Sequence, residues 1–351
     1  MTIKYLDSKR LSATSTDFGT NGAGIPVEAG GWKEIGRTTL GSTTSTIDVA
    51  SLADKRYLML LTDIRPSGAV DGMMRLNNDS GSNYACRYSN NGGSDGTDTS
   101  ASLMYNAETP SDTNPMFAVS YIANLSNKEK LHLSHSIAQK TAGAGNAPNR
   151  GEYACKWVNT SDAVDRITTL TSTGNNYASG SELVVLGWDT DNDNTNFWEQ
   201  LASVNGDGSG GFSSGTITAK KYLWVQVWCE PSASSYMQLR FNSDSGNNYA
   251  RRASNNSGSD GTGTEESFIQ IGATESTPQF FNFFIINNSA NEKLVICDAV
   301  TQMSTGAGNA PEFRQTVGKW DNTSSQITDI EILPSTGNLS TSSIMKVWGS
   351  N

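Results

Sequence analysis

Hydrophobic and polar residues alternate with a period of two in several segments of this chain. The clearest is YLWVQVWC at 222–229, where every second residue is Leu, Val, Val or Cys. This period, with β-branched and aromatic residues, predicts a half-buried strand. No segment of ten or more residues keeps the 3.6-residue period of a helix. The predicted inner positions are Leu223, Val225, Val227 and Cys229, with Leu58, Leu60, Thr62 and Ile64 in a matching upstream segment, and further strands are expected at 117–124, 181–187, 280–287 and 343–349.

The chain is a tandem duplication. Residues 75–97 read RLNNDSGSNYACRYSNNGGSDGT and residues 240–262 read RFNSDSGNNYARRASNNSGSDGT, which agree at 17 of 23 positions. The motif GAGNAP occurs at 143–148 and again at 306–311, and turns rich in Gly, Asn, Asp and Ser separate the strands of each copy. We predict an all-β fold of two tandem antiparallel β-sandwich domains, jelly-roll-like. The expected boundaries are an N-terminal arm at 1–30, a first domain at 31–189, a linker at 190–196 and a second domain at 197–351.

The charge balance argues against two classes of partner. The chain carries 35 acidic and 25 basic side chains, a net charge of -10, and its Lys and Arg residues are scattered. Such a surface does not favour phosphate backbones or anionic lipids, so we expect no nucleic-acid and no membrane partner. The N-terminal MTIKYLDSKRL lacks the apolar segment of a secretory leader, which predicts synthesis in a cytoplasm.

The four cysteines are expected to be free thiols. They show no metal-binding spacing, and none has a cysteine at its counterpart position in the other copy. Cys86 corresponds to Arg251, and Cys155 corresponds to Gly318. A duplicated disulfide framework would keep its pairs in both copies.

Little in the sequence supports catalysis. His132 and His135 are the only histidines, and three residues apart on a strand they face opposite sides, which prevents a shared metal site or a paired base. Nucleotide-binding and hydrolase motifs are missing, and nothing favours a carboxylate pair for glycoside hydrolysis. We therefore expect a protein that is not an enzyme and needs no cofactor.

The linker contains a possible cation-binding pattern. Asp189, Asp191 and Asp193 have the alternate spacing of calcium-binding carboxylates. The segment departs from an EF-hand loop at Asn194 and Gln200, where that loop has Gly and Glu. A solvated linker is the favoured interpretation, and a metal site is the alternative.

The duplicated motif DSGxNYA allows two interpretations. It is either a contact loop that presents polar side chains to a ligand, or a turn in which Asp caps, Gly adopts a positive φ and Tyr returns to the core. We favour the turn. The candidate loop contacts are Asp79, Asn83 and Tyr84 in the first copy and Asp244, Asn248 and Tyr249 in the second.

The outward positions of the strand at 222–229 differ between the copies. If Leu223 faces the core, Tyr222, Trp224 and Trp228 point outward. Exposed tryptophans tend to mark contact surfaces, so these residues form a candidate interface of the second domain. Alternatively, another strand, the arm or the first domain covers them, and both possibilities remain open. Their counterparts in the first copy are Tyr57, Met59 and Asp63.

Several motifs together resemble a known group of proteins. RxNxDSGxNYA, AGNAPxxR, KWxNTSxQIT and a closing VWG are similar to the β-rich repeat domains of structural proteins of marine tailed bacteriophages, including head-decorating and tail-fibre-like proteins. The opening TIKYLDSKRL resembles the leader of such virion proteins. The resemblance implies a protein of the virion surface, made in the host cytoplasm, that forms homo-oligomers and packs against other virion proteins. It also implies that the arm, with Lys4, Lys9 and Arg10, docks on the particle.

Three functions follow from these observations. The first is a capsid decoration or a tail or fibre component that acts by protein–protein packing. The second is a carbohydrate-binding module for host adhesion, with Trp224 and Trp228 as a stacking platform for a host-surface glycan. The third is a polysaccharide depolymerase, for which no acid pair recurs in a suggestive setting.

Overall fold

The computed structural model describes residues 31–107, 113–189 and 197–351, and these contain 24 strands. The predicted arm at 1–30 and the predicted linker at 190–196 lie outside the described residues. Of the described residues, none lies in a helix with the length and apolar character of a membrane span.

The first twelve strands build the first domain. They are β1 Lys33–Thr39, β2 Thr46–Ala50, β3 Tyr57–Ile64, β4 Met73–Leu76, β5 Tyr84–Asn90, β6 Gly96–Ala101, β7 Met104–Tyr105, β8 Met116–Ala123, β9 Lys130–Ala138, β10 Asn149–Trp157, β11 Arg166–Leu170 and β12 Glu182–Trp188.

The next twelve build the second domain. They are β13 Glu199–Asn205, β14 Phe212–Ser213, β15 Tyr222–Cys229, β16 Met237–Phe241, β17 Tyr249–Asn255, β18 Gly261–Glu266, β19 Ile269–Gln270, β20 Gln279–Ile286, β21 Lys293–Thr301, β22 Glu312–Trp320, β23 Ile330–Pro334 and β24 Ile344–Ser350.

Both domains have the same sheet topology. In the first, an eight-stranded sheet has the order β1-β12-β3-β8-β9-β10-β5-β6 and a four-stranded sheet the order β2-β11-β4-β7. In the second, the orders are β13-β24-β15-β20-β21-β22-β17-β18 and β14-β23-β16-β19, so every strand has its counterpart twelve strands later. The prediction of two tandem antiparallel β-sandwiches is therefore confirmed.

The core of each sandwich lies where the alternation predicted it. Leu223, Val225, Val227 and Cys229 are all buried between the two sheets of the second domain. In the first domain Leu58, Leu60 and Ile64 are buried in the same way. Thr62 is also buried, and its hydroxyl accepts a hydrogen bond from Asn106 Nδ2 at 3.0 Å, which satisfies it inside the core.

The prediction of four free thiols is wrong for two of them. Cys86 on β5 lies directly opposite Cys155 on β10, and the two form a disulfide. The counterpart residues Arg251 and Gly318 are opposite each other in the same register. The sequence argument failed because it assumed that both copies keep every cross-link, whereas neighbouring antiparallel strands allow the bond in either copy independently. Cys229 and Cys297 are free and buried, as expected.

A third apolar cluster joins the two domains. It is made by the outer faces of the two eight-stranded sheets, where the outer face is the one that points away from the four-stranded sheet of the same domain. Burial of this cluster removes apolar surface of both domains from water, so the contact stabilises both sandwiches. Its buried members are Met59, Leu61, Phe117, Val119, Ile137, Val184 and Leu186 of the first domain and Phe197, Trp198, Tyr222, Phe284, Ile286, Leu294, Ile296, Val317 and Trp348 of the second.

Candidate interaction surfaces

The DSGxNYA motif of the first copy is a closed turn. Asp79 Oδ1 accepts a hydrogen bond from the backbone N–H of Gly81 at 2.8 Å, and Asn83 Nδ2 donates to Asp79 Oδ2 at 2.9 Å. Trp157 Nε1 donates to Asp79 Oδ2 at 2.7 Å, and the Tyr84 hydroxyl donates to the Asp79 carbonyl at 3.1 Å. Burial acts to raise the pKa of Asp79, but these hydrogen bonds outweigh it and hold the pKa below its ordinary value.

The second copy repeats this arrangement. Asp244 accepts from Gly246 at 2.8 Å, from Asn248 at 2.9 Å and from Trp320 Nε1 at 2.7 Å, and the Tyr249 hydroxyl donates to the Asp244 carbonyl at 3.1 Å. The polar atoms of the candidate loop contacts are thus used within the molecule in both copies. This geometry supports the interpretation of the motif as a turn.

One part of the turn interpretation is wrong. The positive φ angles fall on Asn77 and Asn78, at 50° and 56°, and on their counterparts in the second copy, and not on the glycines of the motif. A Cβ atom at Gly81 would lie only 2.7 Å from Asn83 Nδ2. Glycine is required here because the Asn side chain folds over it to reach Asp79.

The two histidines face opposite sides of β9, as predicted. His132 points into the sandwich and is buried, and burial lowers its pKa to about 3. His135 points to the outer face, where its Nδ1 lies 3.5 Å from Asp298 Oδ1 of the second domain. Neither ring makes a hydrogen bond through its buried nitrogens.

Several sequence candidates are outside the described residues. These include Lys4, Lys9 and Arg10 of the predicted arm and Asp191 and Asp193 of the predicted cation pattern. Asp189 is described and lies just after β12. Within the described ranges, no group of three or more His, Cys, Asp or Glu side chains is arranged to hold a metal ion.

Tyr222, Trp224 and Trp228 lie on the outer face, as predicted, but the other domain covers part of this row. Tyr222 is fully buried against the first domain, and its hydroxyl donates to Glu182 Oε1 at 2.7 Å. Trp224 packs against the cluster between the domains, with its ring 5.8 Å from Phe284 and nearly parallel to it. Trp228 remains 39% exposed. The first domain thus covers Tyr222, whereas the rings around Trp224 belong to its own domain.

An ionic group anchors one side of the domain contact. Glu182 of the first domain accepts from Lys221 Nζ at 2.9 Å and from Arg37 at 3.1 Å, besides the hydroxyl of Tyr222. Burial acts to raise the pKa of Glu182, but Lys221 and the hydrogen bonds outweigh it and lower the pKa to about 2. The same burial, together with the Glu182 charge, raises the pKa of Tyr222 well above its ordinary value. The pair is held as a carboxylate and a neutral hydroxyl.

Arg150 anchors the other side of the contact. Its Nη2 lies 2.7 Å from Asp260 Oδ1 of the second domain, and its Nη1 lies 2.7 Å from Glu152 Oε2 on the same strand. Arg150 Nη1 also donates to Gln315 Oε1 at 3.3 Å. A buried guanidinium with this many partners fixes the positions of Glu152 and Gln315 beside the junction.

The two domains contact each other through opposite halves of equivalent outer faces. Ile296 on β21 is 2% exposed, whereas Leu133, at the same position of β9, is 61% exposed. Conversely, Ile137 on β9 is fully buried and Val300, its counterpart on β21, is 38% exposed. The half of the outer face that is buried in one domain is therefore the half that stays uncovered in the other.

The uncovered half of the first domain is an aromatic surface that the sequence analysis missed. It forms a cleft of about 340 Å³. The Tyr57 and Trp188 rings are 5.6 Å apart, and the Trp32 and Tyr121 rings are 6.5 Å apart. The available signal was the segment KLHLSH, in which Leu alternates outward on a face expected to be polar. We call Trp32, Tyr57, Tyr121, Leu131, Leu133 and Trp188 the first-domain patch.

The uncovered half of the second domain carries an apolar row across five strands. Ile344, Trp228, Phe280, Val300 and Phe313 are successive neighbours across β24, β15, β20, β21 and β22. We call these residues the second-domain patch. In the part of the chain that the structure describes, nine large apolar side chains are exposed, and seven of them lie in the two patches. Exposure of this kind is concentrated at two places instead of being scattered.

Comparisons with known proteins add little to this description. No family model and no curated protein matches the chain. A solved structure of the mouse laminin alpha1 chain, domains LG4-5, is similar over 91% of this chain and 91% of that chain, with 9% sequence identity and a TM-score of 0.20. A likeness at this TM-score carries no argument about the fold or the function of this chain.

Proposed function

We propose that the protein is a non-catalytic structural component of a virion surface, a capsid decoration or a tail or fibre protein, that acts by packing against other virion proteins. The observation that carries the proposal is the second-domain patch, an apolar row across five strands of the outer sheet face. Soluble proteins rarely keep such a surface without a partner. The resemblance of the repeated motifs to phage structural proteins gives the class of partner.

The contact between the domains supports the same role. A buried apolar cluster and two ionic anchors hold the sandwiches together, so a partner that contacts one domain also positions the other. Particle proteins benefit from such a fixed spacing because the interface is repeated by symmetry.

We favour this packing role over a carbohydrate platform on Trp224 and Trp228. Trp224 is packed between Phe284 and Trp348, with ring centroids 5.8 Å and 4.9 Å away, and its Nε1 donates to Asn282. Trp228 is thus the more exposed ring of the pair, and Trp224 is half-buried.

Association with particles tests the proposal. An antibody against the full chain should label particles that are purified on a density gradient from the culture in which the chain is made. Full-length protein with Trp228→Ser and Val300→Ser should be lost from the particle fraction, while Leu125→Ser, another exposed apolar residue outside both patches, should remain there. A chain that never enters the particle fraction would contradict the proposal.

A further inference from the structure

A groove runs along the junction of the two domains. It has a volume of about 360 Å³ and takes its walls from both sheets, with Tyr121 and Leu133 on one side and Phe284 and Phe313 on the other. Tyr121 and Leu133 also line the aromatic cleft of the first-domain patch, so the groove and the cleft adjoin each other at these two residues. Each of the two volumes, about 340 Å³ and 360 Å³, lies in the range of sites that bind small ligands.

The polar side chains at the junction are gathered at one place and face this groove. They come from the central strands of both sheets, whereas the cleft beyond them is mainly aromatic. The lining groups are His135 and Glu152 of the first domain and Asn282, Asp298 and Gln315 of the second. This combination of aromatic rings with carboxylates and amides is typical of sites that bind polyhydroxylated ligands, where the rings contact C–H faces and the polar groups bond hydroxyls.

Two of these polar groups are already held in position by the protein. Asn282 Oδ1 accepts from Trp224 Nε1 at 2.7 Å, which leaves the Nδ2 donor of Asn282 for another partner. Gln315 Oε1 accepts from Arg150 at 3.3 Å, which leaves the Nε2 donor of Gln315. Groups held in this way lose little conformational entropy when a ligand binds.

His135 supplies an independent observation. Its two ring nitrogens are buried and make no hydrogen bond, although Asp298 Oδ1 lies only 3.5 Å from Nδ1. Buried polar groups in proteins are normally satisfied, so this unsatisfied ring at the wall of the groove indicates a missing partner, which a turn of the ring towards the groove would bring within reach. A ligand hydroxyl that donates to one of these groups and accepts from another would complete the site.

The charges of the groove select among saccharides. Glu152 and Asp298 are acidic, and the nearby cation Arg150 is engaged by Asp260 and Glu152. A uronic, sialylated or sulfated sugar would bring its anion close to these carboxylates, which is unfavourable. The groove therefore suits a neutral sugar.

We infer that the groove between the domains, continued by the cleft of the first-domain patch, binds a neutral oligosaccharide. Tyr121 stacks on the sugar ring, and His135, Asp298, Asn282 and Gln315 bond its hydroxyls. This site shares Phe313 with the second-domain patch but includes neither Trp228 nor Val300, so the inference does not depend on the proposed structural role.

Binding to an array of neutral and acidic oligosaccharides tests the inference with the full chain. We expect binding to neutral saccharides, followed by titration calorimetry with the strongest one. Tyr121→Ala and Asp298→Asn should each weaken that binding by about tenfold or more, because one removes the stacking ring and the other removes a charged acceptor. Trp228→Ser and Val300→Ser are the matched controls on the second domain, and their affinity should equal that of the unmodified chain.

The outcomes separate the site from the packing role. No binding to any neutral saccharide, a preference for acidic saccharides, or unchanged affinity in Asp298→Asn would overturn the inference. Asp298→Asn keeps the test valid even if Tyr121→Ala fails to fold, because Asp298 is partly exposed on the surface. Particle association of the Trp228 and Val300 variants is measured separately, so failure of one proposal leaves the other standing.

Discussion

The contact between the domains can be tested with two substitutions at the same position of the two copies. Ile296 and Leu133 occupy equivalent places on β21 and β9, and both point to the outer face. The first is 2% exposed beneath the other domain and the second is 61% exposed. Ile296→Ala and Leu133→Ala therefore remove side chains of equal size from a covered and an uncovered half of the same surface.

The expected magnitudes differ severalfold. A buried Ile→Ala change costs about 2–5 kcal/mol in the free energy of unfolding, since it removes apolar contact and leaves a cavity. Complete burial of a leucine contributes about 1.5–3 kcal/mol, and Leu133 has only a minor part of its surface buried, so Leu133→Ala should cost about 1 kcal/mol or less. Both changes replace a strand residue with alanine, so the difference in strand propensity is similar in the two variants.

Urea unfolding of the full chain at low concentration measures both values. The transition should be followed by tryptophan fluorescence and by far-ultraviolet circular dichroism, and coincident curves would show that the two domains unfold together. Equal costs for the two variants, or a cost for Ile296→Ala below that for Leu133→Ala, would refute the assignment of Ile296 to the interface.

Three further predictions concern the buried His132, the repeated turn at Asp244 and the disulfide of the first domain. The pKa of His132 is about 3 in the folded protein and near 6.5 when unfolded, so lowering the pH from 7 to 5 protonates only the unfolded state and should cost about 2 kcal/mol of stability. His132→Val, which installs the residue that the second copy has at this position, should lose this pH dependence. If urea unfolding shows the same fall in stability between pH 7 and pH 5 in the variant and in the unmodified chain, the assignment to His132 is wrong. Asp244→Ala should destabilise the chain by about 1–3 kcal/mol, because it leaves the buried Trp320 indole N–H without its acceptor. Thermal unfolding measures this change, and an unchanged stability would contradict the role of Asp244 in the turn. Mass spectrometry after alkylation of the denatured, unreduced chain should find Cys86 and Cys155 linked, and modification of both would contradict the disulfide.

The alternation of side chains predicted the inside of each sandwich well. A strand has only two faces, so a period of two in a segment such as 222–229 determines which residues can reach the core. The duplication added a second, independent copy of the same pattern, which explains why both domains were predicted with one architecture. Strand bounds were displaced by about one residue, because hydrogen bonding between strands decides where each one ends.

The outer face was much harder to predict. Leu133 and Ile296 are both apolar and occupy equivalent positions, yet one is open and the other buried, since burial here depends on how one domain is placed on the other. No period in the sequence carries that information. The same limit explains why Trp224 and Trp228 seemed equivalent in the sequence, while only Trp228 is open.

The polar groove was also invisible in the sequence. His135, Asn282 and Gln315 are far apart along the chain, and none belongs to a repeated motif that attracts attention. They meet only because the sheets contact each other through opposite halves. The repeated motif DSGxNYA, which did attract attention, turned out to be occupied with its own internal hydrogen bonds.

The central claim is that each domain covers half of the other's outer face and leaves the remaining half for partners. Hydroxyl-radical footprinting of the dilute full chain tests this directly, because it labels side chains according to their exposure. We predict strong labelling at Leu133 and Phe313 and protection at Ile296 and Ile137. Equal labelling of Leu133 and Ile296 would contradict the account.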